Sequence, residues 1–241
     1  MPARFHVDLP LAEGHVFDLP ADAVHHVQVL RLQPGAPLVL FNGNGGEWLA
    51  TIGHVGRDEV QVRVGKHETV NRELPWHVTV AVAMPANDRM DSLVEKATEL
   101  GTAVIQPLVS ERSVLRLAGE RAVRKRLHWQ AIAAASCEQC GRTKLPRIEP
   151  VRAYDEWLAA LPDGALESRW VLSLRGARPL SERLAGQAPG ALVALSGPEG
   201  GLTAAEEIAA FERGFSAVNL GPRVLRADTA PLALLAAVAT P

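Results

Sequence analysis

The stretch HVTVAVAMPANDRMDSLVEKATELGTAVIQPLV, residues 77–109, decides the fold of this chain. It opens with a β-branched run, His77–Ala83, that is typical of a buried strand. Apolar residues then recur at the spacing of one helix face, at Met90, Leu93, Val94, Ala97 and Leu100, and Gly101 suits the end of that helix. Residues 102–109 are typical of a second strand. Strand, helix and strand at this spacing predict a βαβ unit and therefore a parallel sheet.

The same α/β pattern continues toward the C-terminus. It predicts strands at 170–174, 191–196 and 217–220, and helices at 203–213 and 229–240. Before residue 72 the pattern differs, because short strands alternate with turn residues at the spacing of a small barrel, and such barrels often bind RNA. We therefore expect two domains, an RNA-binding β-barrel at 1–72 and an α/β domain at 73–241.

The composition excludes several classes of protein. The chain has 241 residues, of which 47% are hydrophobic and 22% are charged, as in an ordinary globular protein and unlike a disordered, collagen-like or disulfide-stapled one. The longest apolar stretch, 231–241, is far below the ~20 residues of a membrane span. With no recognisable signal peptide and two cysteines, the sequence predicts a cytoplasmic location and no membrane partner.

The net charge of −2 conceals an uneven distribution. Residues 110–152 hold ten Lys/Arg against four Asp/Glu, a net charge of +6 between two acidic regions. A basic block in a neutral protein is the footprint of a polyanion partner such as nucleic acid, although a solvated helix face is the alternative.

Two glycine-bearing loops follow predicted strands and precede predicted helices. The first is Ser196-Gly-Pro-Glu-Gly-Gly201, after which Thr203 and Glu206 have the spacing of a capping box. The second is Leu220-Gly-Pro-Arg-Val-Leu-Arg226. Open α/β sheets bind ligands at the carboxyl ends of their strands, so the two loops are expected to form one site. The first loop lacks the Gly-Lys-Ser/Thr signature of a P-loop.

With these loops in view, the sequence resembles the ribosomal RNA small subunit methyltransferase E family of the SPOUT superfamily. The matching motifs occur in order along nearly the whole chain, namely His25-His26, Val29–Arg31, Asp88–Met90, Lys96–Gly101, Ser110–Ser113, Glu138–Arg142, Gly197–Gly201 and Leu220–Arg226. Members of this family methylate N3 of one uridine in 16S rRNA with S-adenosylmethionine.

The resemblance implies a fold and a set of partners that the residues alone do not give. It implies an N-terminal PUA-like barrel and a C-terminal α/β domain with a parallel sheet and a deep trefoil knot, acting as a homodimer on 16S rRNA of the 30S subunit. The knotted loops build the S-adenosylmethionine site, which assigns cofactor binding to Leu195, Gly197, Glu199, Gly200, Gly201, Leu220, Gly221, Val224 and Leu225. We expect RNA contacts from Arg31, Arg112, Arg124, Lys125 and Arg142.

The chemistry of N3 methylation identifies candidate catalytic residues. The uridine N3 must lose its proton, and a guanidinium near the uracil oxygens would stabilise the developing negative charge. Arg226 is the first candidate for this role and Arg223 the second, with a role in holding a loop or phosphate as the alternative. The sequence does not identify the general base: Glu138 and Glu199 are both open to this role, with cofactor binding or the capping of a turn as equal alternatives for Glu199.

Three other features resemble functional motifs but are better explained by packing or by helix geometry. Cys137 and Cys140 form a C-x-x-C pattern without the further ligands that structural zinc needs, so we expect packing and no metal. His25 and His26 are adjacent and cannot share one helix face, so we do not expect them to bind a metal together. Trp129 lies among cations and could stack on a base, but core packing is the stronger expectation.

Three functional classes remain open on the sequence. The leading one is the uridine N3 methyltransferase. Another SPOUT enzyme, such as a ribose 2′-O-methyltransferase, is the nearest alternative, and a non-catalytic rRNA-binding assembly factor is an alternative of a different class. A dinucleotide-binding protein is disfavoured, because no G-x-G-x-x-G opens a helix.

Overall fold

The computed structural model describes residues 2–86, 88–164 and 166–240, which form two compact units. The first unit contains the chain up to residue 73 together with residues 134–145, and the second contains the rest. The sequence predicts a division at 72, and it does not anticipate that the segment 134–145 joins the N-terminal unit.

The first unit is built on a five-stranded sheet and one helix. Its elements are β1 (Ala3–His6), β2 (Val16–Asp18), α1 (Ala21–Val29), β3 (Pro37–Phe41), β4 (Glu47–Val55) and β5 (Val60–Glu68). The strand order is β1-β3-β4-β5-β2, in which only the β1–β3 pair is parallel. Two register shifts between β4 and β5 bend the sheet, as expected of a small PUA-like domain.

Side chains that alternate along β5 explain the core of this unit. Val60, Val62 and Val64 are buried, whereas the intervening Gln61 and Arg63 are exposed, so one face of the strand packs inward. The inward face packs with Val24 and Val27 of α1 in one hydrophobic cluster.

A buried ion pair ties down the start of the first unit. The Arg4 Nη1 atom lies 2.6 Å from the Glu47 Oε2 atom, and the Arg72 Nη1 atom lies 3.2 Å from the same oxygen. Both guanidinium groups also donate to the carbonyl of Gly141. These bonds attach residues 134–145 to the N-terminal sheet.

The second unit follows the predicted α/β pattern. Its elements are β6 (His77–Ala83), α2 (Asp88–Glu99), β7 (Val104–Val109), α3 (Gly119–Cys140), β8 (Arg147–Ile148), β9 (Arg152–Ala153), α4 (Tyr154–Ala159), β10 (Ser168–Leu172), β11 (Arg178–Pro179), α5 (Leu180–Leu184), β12 (Ala191–Ser196), α6 (Ala204–Glu212), β13 (Ser216–Asn219) and α7 (Thr229–Ala239). The last turns of α3, from Ala134, belong to the first unit.

All pairings in the sheet of the second unit are parallel, as the βαβ reading predicts. The strand order is β11-β13-β10-β12-β6-β7-β8, with β9 also paired to β7. Strands that are neighbours in space are therefore distant in the chain on one side of the sheet, where β10 lies between β12 and β13. The trefoil knot implied by the family resemblance is compatible with this order and stays a prediction.

The central strands are buried on both faces, which explains their continuous apolar sequence. In β12, Leu192 and Ala194 pack into the cluster that contains α2, α3 and α7, whereas Val193 and Leu195 pack into the cluster that contains α4 and α6. The second unit is therefore a three-layer α/β structure. In the described part of the chain, no helix combines the length and apolar character that a bilayer crossing requires.

Trp129 belongs to the first of these two clusters. Its ring is fully buried, and its Nε1 donates to the Asp91 Oδ1 atom at 2.8 Å. Burial alone would raise the pKa of Asp91, but hydrogen bonds from His128 and Trp129 and the Lys125 charge lower it. The side chain therefore packs in the core, as expected, and is not a base-stacking platform.

Arg142 departs from the prediction that it contacts RNA. The residue is only 3% exposed, and its Nε donates to the Glu73 Oε1 atom at 3.1 Å within the first unit. A guanidinium that is buried against a carboxylate holds the fold and cannot reach a phosphate in this conformation. We therefore remove Arg142 from the RNA-contacting set and assign it a structural role.

Gly101 ends α2 as the sequence predicts. Its φ is +92°, and the amides of Gly101 and Thr102 donate to the carbonyls of Thr98 and Ala97, which is a Schellman motif. A Cβ atom at this position would lie 2.5 Å from the Cγ atom of Leu74. Gly214 ends α6 with the same motif at φ +82°, but a Cβ there would meet nothing within 4 Å.

These two glycines form a matched pair for a stability test. Gly214→Ala should lower the free energy of unfolding by about 1–2 kcal/mol, because only the left-handed backbone is strained. Gly101→Ala should cost a further ~1–3 kcal/mol, because Leu74 must also move. Urea unfolding of both variants measures the difference, and equal losses would contradict the close contact with Leu74.

Candidate active site

Three loops at the carboxyl ends of β10, β12 and β13 form the candidate active site. Because these strands are adjacent and parallel, their ends lie at the same edge of the sheet. The loops surround a cavity of about 660 Å³. This volume lies in the range of small-molecule and cofactor sites.

The first loop is tightly folded at Gly197. A Cβ atom there would lie 2.8 Å from the Leu202 backbone nitrogen, so a side chain cannot be accommodated without moving the backbone. The amide of Gly201 donates to the carbonyl of Pro198 at 2.8 Å, and Gly201 has φ +68°. The capping box predicted at Thr203 and Glu206 is present at the start of α6. The predicted turn and helix start are thus both confirmed.

Glu199 and Gly200 are held from outside the first loop. The Glu199 Oε1 atom accepts hydrogen bonds from the Ala86 amide at 3.0 Å and from Arg89 Nη1 at 3.2 Å. Arg112 Nη1 donates to the Gly200 carbonyl at 2.9 Å. Arg112, predicted to contact RNA, therefore lines the cavity and supports the first loop.

The second loop begins with an Asx turn. The Asn219 Oδ1 atom accepts from the Gly221 amide at 3.2 Å, and Gly221 has φ +101°. Leu220, Val224 and Leu225 then line the cavity, whereas Gly221 shapes the turn. Arg223 and Arg226 are exposed and also line the cavity, and neither has an acidic partner among the residues that the structure describes.

The third loop, after β10, is a part of the site that the sequence prediction misses. Its residues Ser173, Leu174 and Arg175 line the cavity together with Glu207 of α6. Ser173 Oγ donates to the Glu207 Oε1 atom at 2.7 Å, and Arg175 Nη1 lies 3.6 Å from Glu207 Oε2. The one sequence signal for this loop is Gly176 just after the predicted strand, which is weak by itself.

Most of the predicted cofactor residues meet in this cavity. Gly197, Glu199, Gly200, Gly201, Leu220, Val224 and Leu225 line it. Leu195 does not, because it is fully buried in the core cluster of α4 and α6, and the cavity wall begins one residue later at Ser196. The assignment of Leu195 as a cofactor contact is therefore corrected.

Of three further predicted RNA residues, two lie on α3 and one lies just after the end of α1. Arg124 of α3 is exposed and lies 3.5 Å from Glu120, whereas Lys125 is two-thirds covered and lies 3.5 Å from Asp91. Arg31 follows α1 with φ +53°, the one described residue other than glycine that has positive φ. Its position matches the C′ residue of a Schellman motif, where glycine is usual.

The remaining titratable candidates have structural surroundings. Burial raises the pKa of the Cys137 thiol to about 12, which leaves it a packed, unreactive side chain. Burial also raises the pKa of Glu138, whose Oε1 atom accepts from the His6 amide at 2.8 Å inside the first unit. Within the described residues, no three His, Cys, Asp or Glu side chains are grouped to hold a metal ion.

Family models match both parts of the chain. A model described as an RNA methyltransferase domain matches residues 72–239, and one described as an RNA methyltransferase PUA domain matches residues 19–65.

Curated relatives and solved structures match along the whole length. Ribosomal RNA small subunit methyltransferase E of Bacillus subtilis (strain 168) is 31% identical over 98% of this chain and 95% of its own length. The crystal structure of the protein of that name from Neisseria gonorrhoeae, bound to S-adenosyl methionine, is 36% identical, with a TM-score of 0.92 over 100% of this chain and 98% of its own. A putative methyltransferase from Legionella pneumophila, in complex with the cofactor SAM, is 31% identical, with a TM-score of 0.92 over 99% and 97%. This chain belongs to the ribosomal RNA small subunit methyltransferase E family.

Proposed function

We propose that this protein transfers a methyl group from S-adenosylmethionine to N3 of a uridine in 16S rRNA. The observation that carries the proposal is the cavity of three loops at one sheet edge, in a chain whose relatives along the whole length are rRNA methyltransferases and include S-adenosylmethionine complexes. We further propose that it acts on the 30S subunit, as a homodimer in the cytoplasm.

The cavity, at about 660 Å³, is large enough for a nucleoside cofactor such as S-adenosylmethionine. Three glycines of its first loop line it with backbone atoms only, and backbone amides and carbonyls can bond directly to a ligand. Gly197, Gly200 and Gly201 with Leu220, Val224 and Leu225 are the residues that would hold the cofactor. When bound, S-adenosylmethionine supplies an electrophilic methyl group on a sulfonium.

Arg226 and Arg223 are proposed to stabilise the uracil anion. Uridine N3 becomes nucleophilic only when its proton leaves, and the negative charge then spreads onto the flanking carbonyl oxygens. Both guanidinium groups line the cavity without an acidic partner among the described residues, so both can donate to these oxygens. Arg226 is the first candidate.

RNA binding is proposed for cations on each unit, of which Arg31 and Arg124 are exposed and Lys125 is partly covered. Arg124 and Lys125 lie on α3, and Arg31 follows α1. The left-handed backbone at Arg31 costs about 1–2 kcal/mol in a residue other than glycine. Backbone strain of this kind persists at functional positions, which supports a role for the Arg31 side chain in binding RNA and not in stabilising the fold.

Methyl transfer to isolated 30S subunits and to naked 16S rRNA, followed by mass spectrometry of the nucleosides, tests the function. The expected product is 3-methyluridine, with 30S subunits as the better substrate. A 2′-O-methylated nucleoside would favour another SPOUT activity. Absence of any methylated product, together with absence of S-adenosylmethionine binding, would favour an assembly factor.

The role of Arg226 is tested by Arg226→Ala. Loss of the charge that stabilises the uracil anion should reduce kcat by about 100-fold or more, with the Kd for S-adenosylmethionine within about threefold of the wild-type value. Arg178→Ala removes an exposed arginine on β11 and is the matched control. Unchanged turnover in the Arg226 variant would contradict the assignment.

The variant Arg31→Gly should change protein stability and RNA affinity in opposite directions. Glycine relieves the left-handed strain, so the free energy of unfolding should rise by about 1 kcal/mol. Loss of one phosphate contact should weaken binding to 16S rRNA and lower the salt-dependence slope by about 1. Urea unfolding and fluorescence anisotropy measure the two effects, with Arg57→Ala as an exposed control in the same unit. Unchanged RNA affinity would remove Arg31 from the binding surface.

A further inference from the structure

The charge of the cavity wall is strongly unbalanced. Five arginines line the cavity, Arg89, Arg112, Arg175, Arg223 and Arg226. Among the described residues of the wall, the acidic side chains are Glu199 and Glu207. A cationic ligand that enters this cavity is therefore repelled by most of the charges around it.

Glu199 is already engaged. Its Oε1 atom accepts two hydrogen bonds, from the Ala86 amide and from Arg89. The negative charge of Glu199 is thus paired with a guanidinium that lines the same cavity, and it offsets little of the remaining positive charge.

Glu207 is arranged differently. Its side chain is only 11% exposed and is held at one oxygen by the Ser173 hydroxyl, at 2.7 Å. Its second oxygen lies 3.6 Å from Arg175, whose side chain is 66% exposed and extends into solvent. A buried carboxylate with one firmly bonded oxygen and one loosely paired oxygen can accept a ligand cation with little rearrangement.

S-adenosylmethionine carries two positive groups, the sulfonium and the α-ammonium, against one carboxylate. We infer that Glu207 is a cofactor-binding residue that supplies the counter-charge for the cationic part of S-adenosylmethionine. This inference rests on the proposed function. It adds to that function a residue that distinguishes the charged cofactor from neutral nucleosides of the same shape.

Calorimetry on the full chain with three probes tests the inference. S-adenosylmethionine carries both cations, S-adenosylhomocysteine retains only the ammonium, and 5′-methylthioadenosine keeps the adenine, ribose and thioether without any charge. Glu207→Gln should raise the Kd for S-adenosylmethionine by about tenfold and leave that for 5′-methylthioadenosine within about twofold. Glu212→Gln, an exposed carboxylate on the same helix, is the control and should change neither.

The result with S-adenosylhomocysteine identifies the cation. If its Kd rises as much as that of S-adenosylmethionine, Glu207 faces the ammonium. If it does not change, Glu207 faces the sulfonium, and the enzyme then releases its product more readily than it releases its cofactor.

If Glu207 only holds the loop after β10 in place, the three probes should respond differently to its substitution. Glutamine still accepts a hydrogen bond from Ser173, so the loop after β10 should keep its position, which the unfolding temperature checks. Glu207→Asp keeps the charge and should restore the preference for S-adenosylmethionine over 5′-methylthioadenosine. Equal weakening of all three probes by Glu207→Gln, or no weakening of any, overturns the inference.

Failure of the proposed function is distinguishable from failure of this inference. A wild-type protein that binds none of the three probes contradicts the cofactor assignment itself, and the inference falls with it. A wild-type protein that binds all three, with a Glu207→Gln variant that weakens them equally, contradicts only the counter-charge role.

Discussion

The candidate site depends on the parallel pairing of β12 with β10 on one side and β6 on the other. These neighbours place β12 in the middle of the sheet, where α2, α3 and α7 cover one face and α4 and α6 cover the other. The strand carries no polar side chain until Ser196, its last residue. The chain then turns tightly at Gly197, which packs against the Leu202 amide, and the glycines of this turn line the cavity with backbone atoms. The ligand-facing surface is therefore a consequence of how the strand ends.

Features that depend on nearby residues could be predicted from the sequence. The helix end at Gly101, the capping box at Thr203 and the strand His77–Ala83 each follow from residues within a few positions of one another. The two glycine loops could be placed at strand ends for the same reason, and seven of the nine predicted cofactor residues line the cavity.

Features that depend on distant residues could not be predicted in this way. Arg142 reads as one cation in a basic run, but its burial is decided by Glu73, which lies 69 positions earlier. Likewise, Ser173 and Glu207 meet only because β10 lies between β12 and β13, and local periodicity does not encode strand order. Leu195 lies inside the strand that the sequence predicts at 191–196, but its burial is decided by α4 and α6, which pack on that face from other parts of the chain.

In the basic segment 110–152, the number of cations in the sequence is larger than the number that is exposed on the surface. Of its cations, Arg142 is buried against Glu73, Lys125 is paired with Asp91, and Arg112 holds the Gly200 carbonyl at the cavity. Arg124 remains exposed, and its contact with Glu120 is a surface pair of small energetic value. The cations behind the net charge of +6 thus lie in different places, namely inside the fold, at the wall of the cavity and on the exposed surface of α3, and an RNA contact is proposed only for the last group. Arg112 at the cavity and Arg124 on α3 belong to one basic segment. On the proposed function, a substitution in this segment can change cofactor binding and RNA binding together, so each variant there must be measured for both.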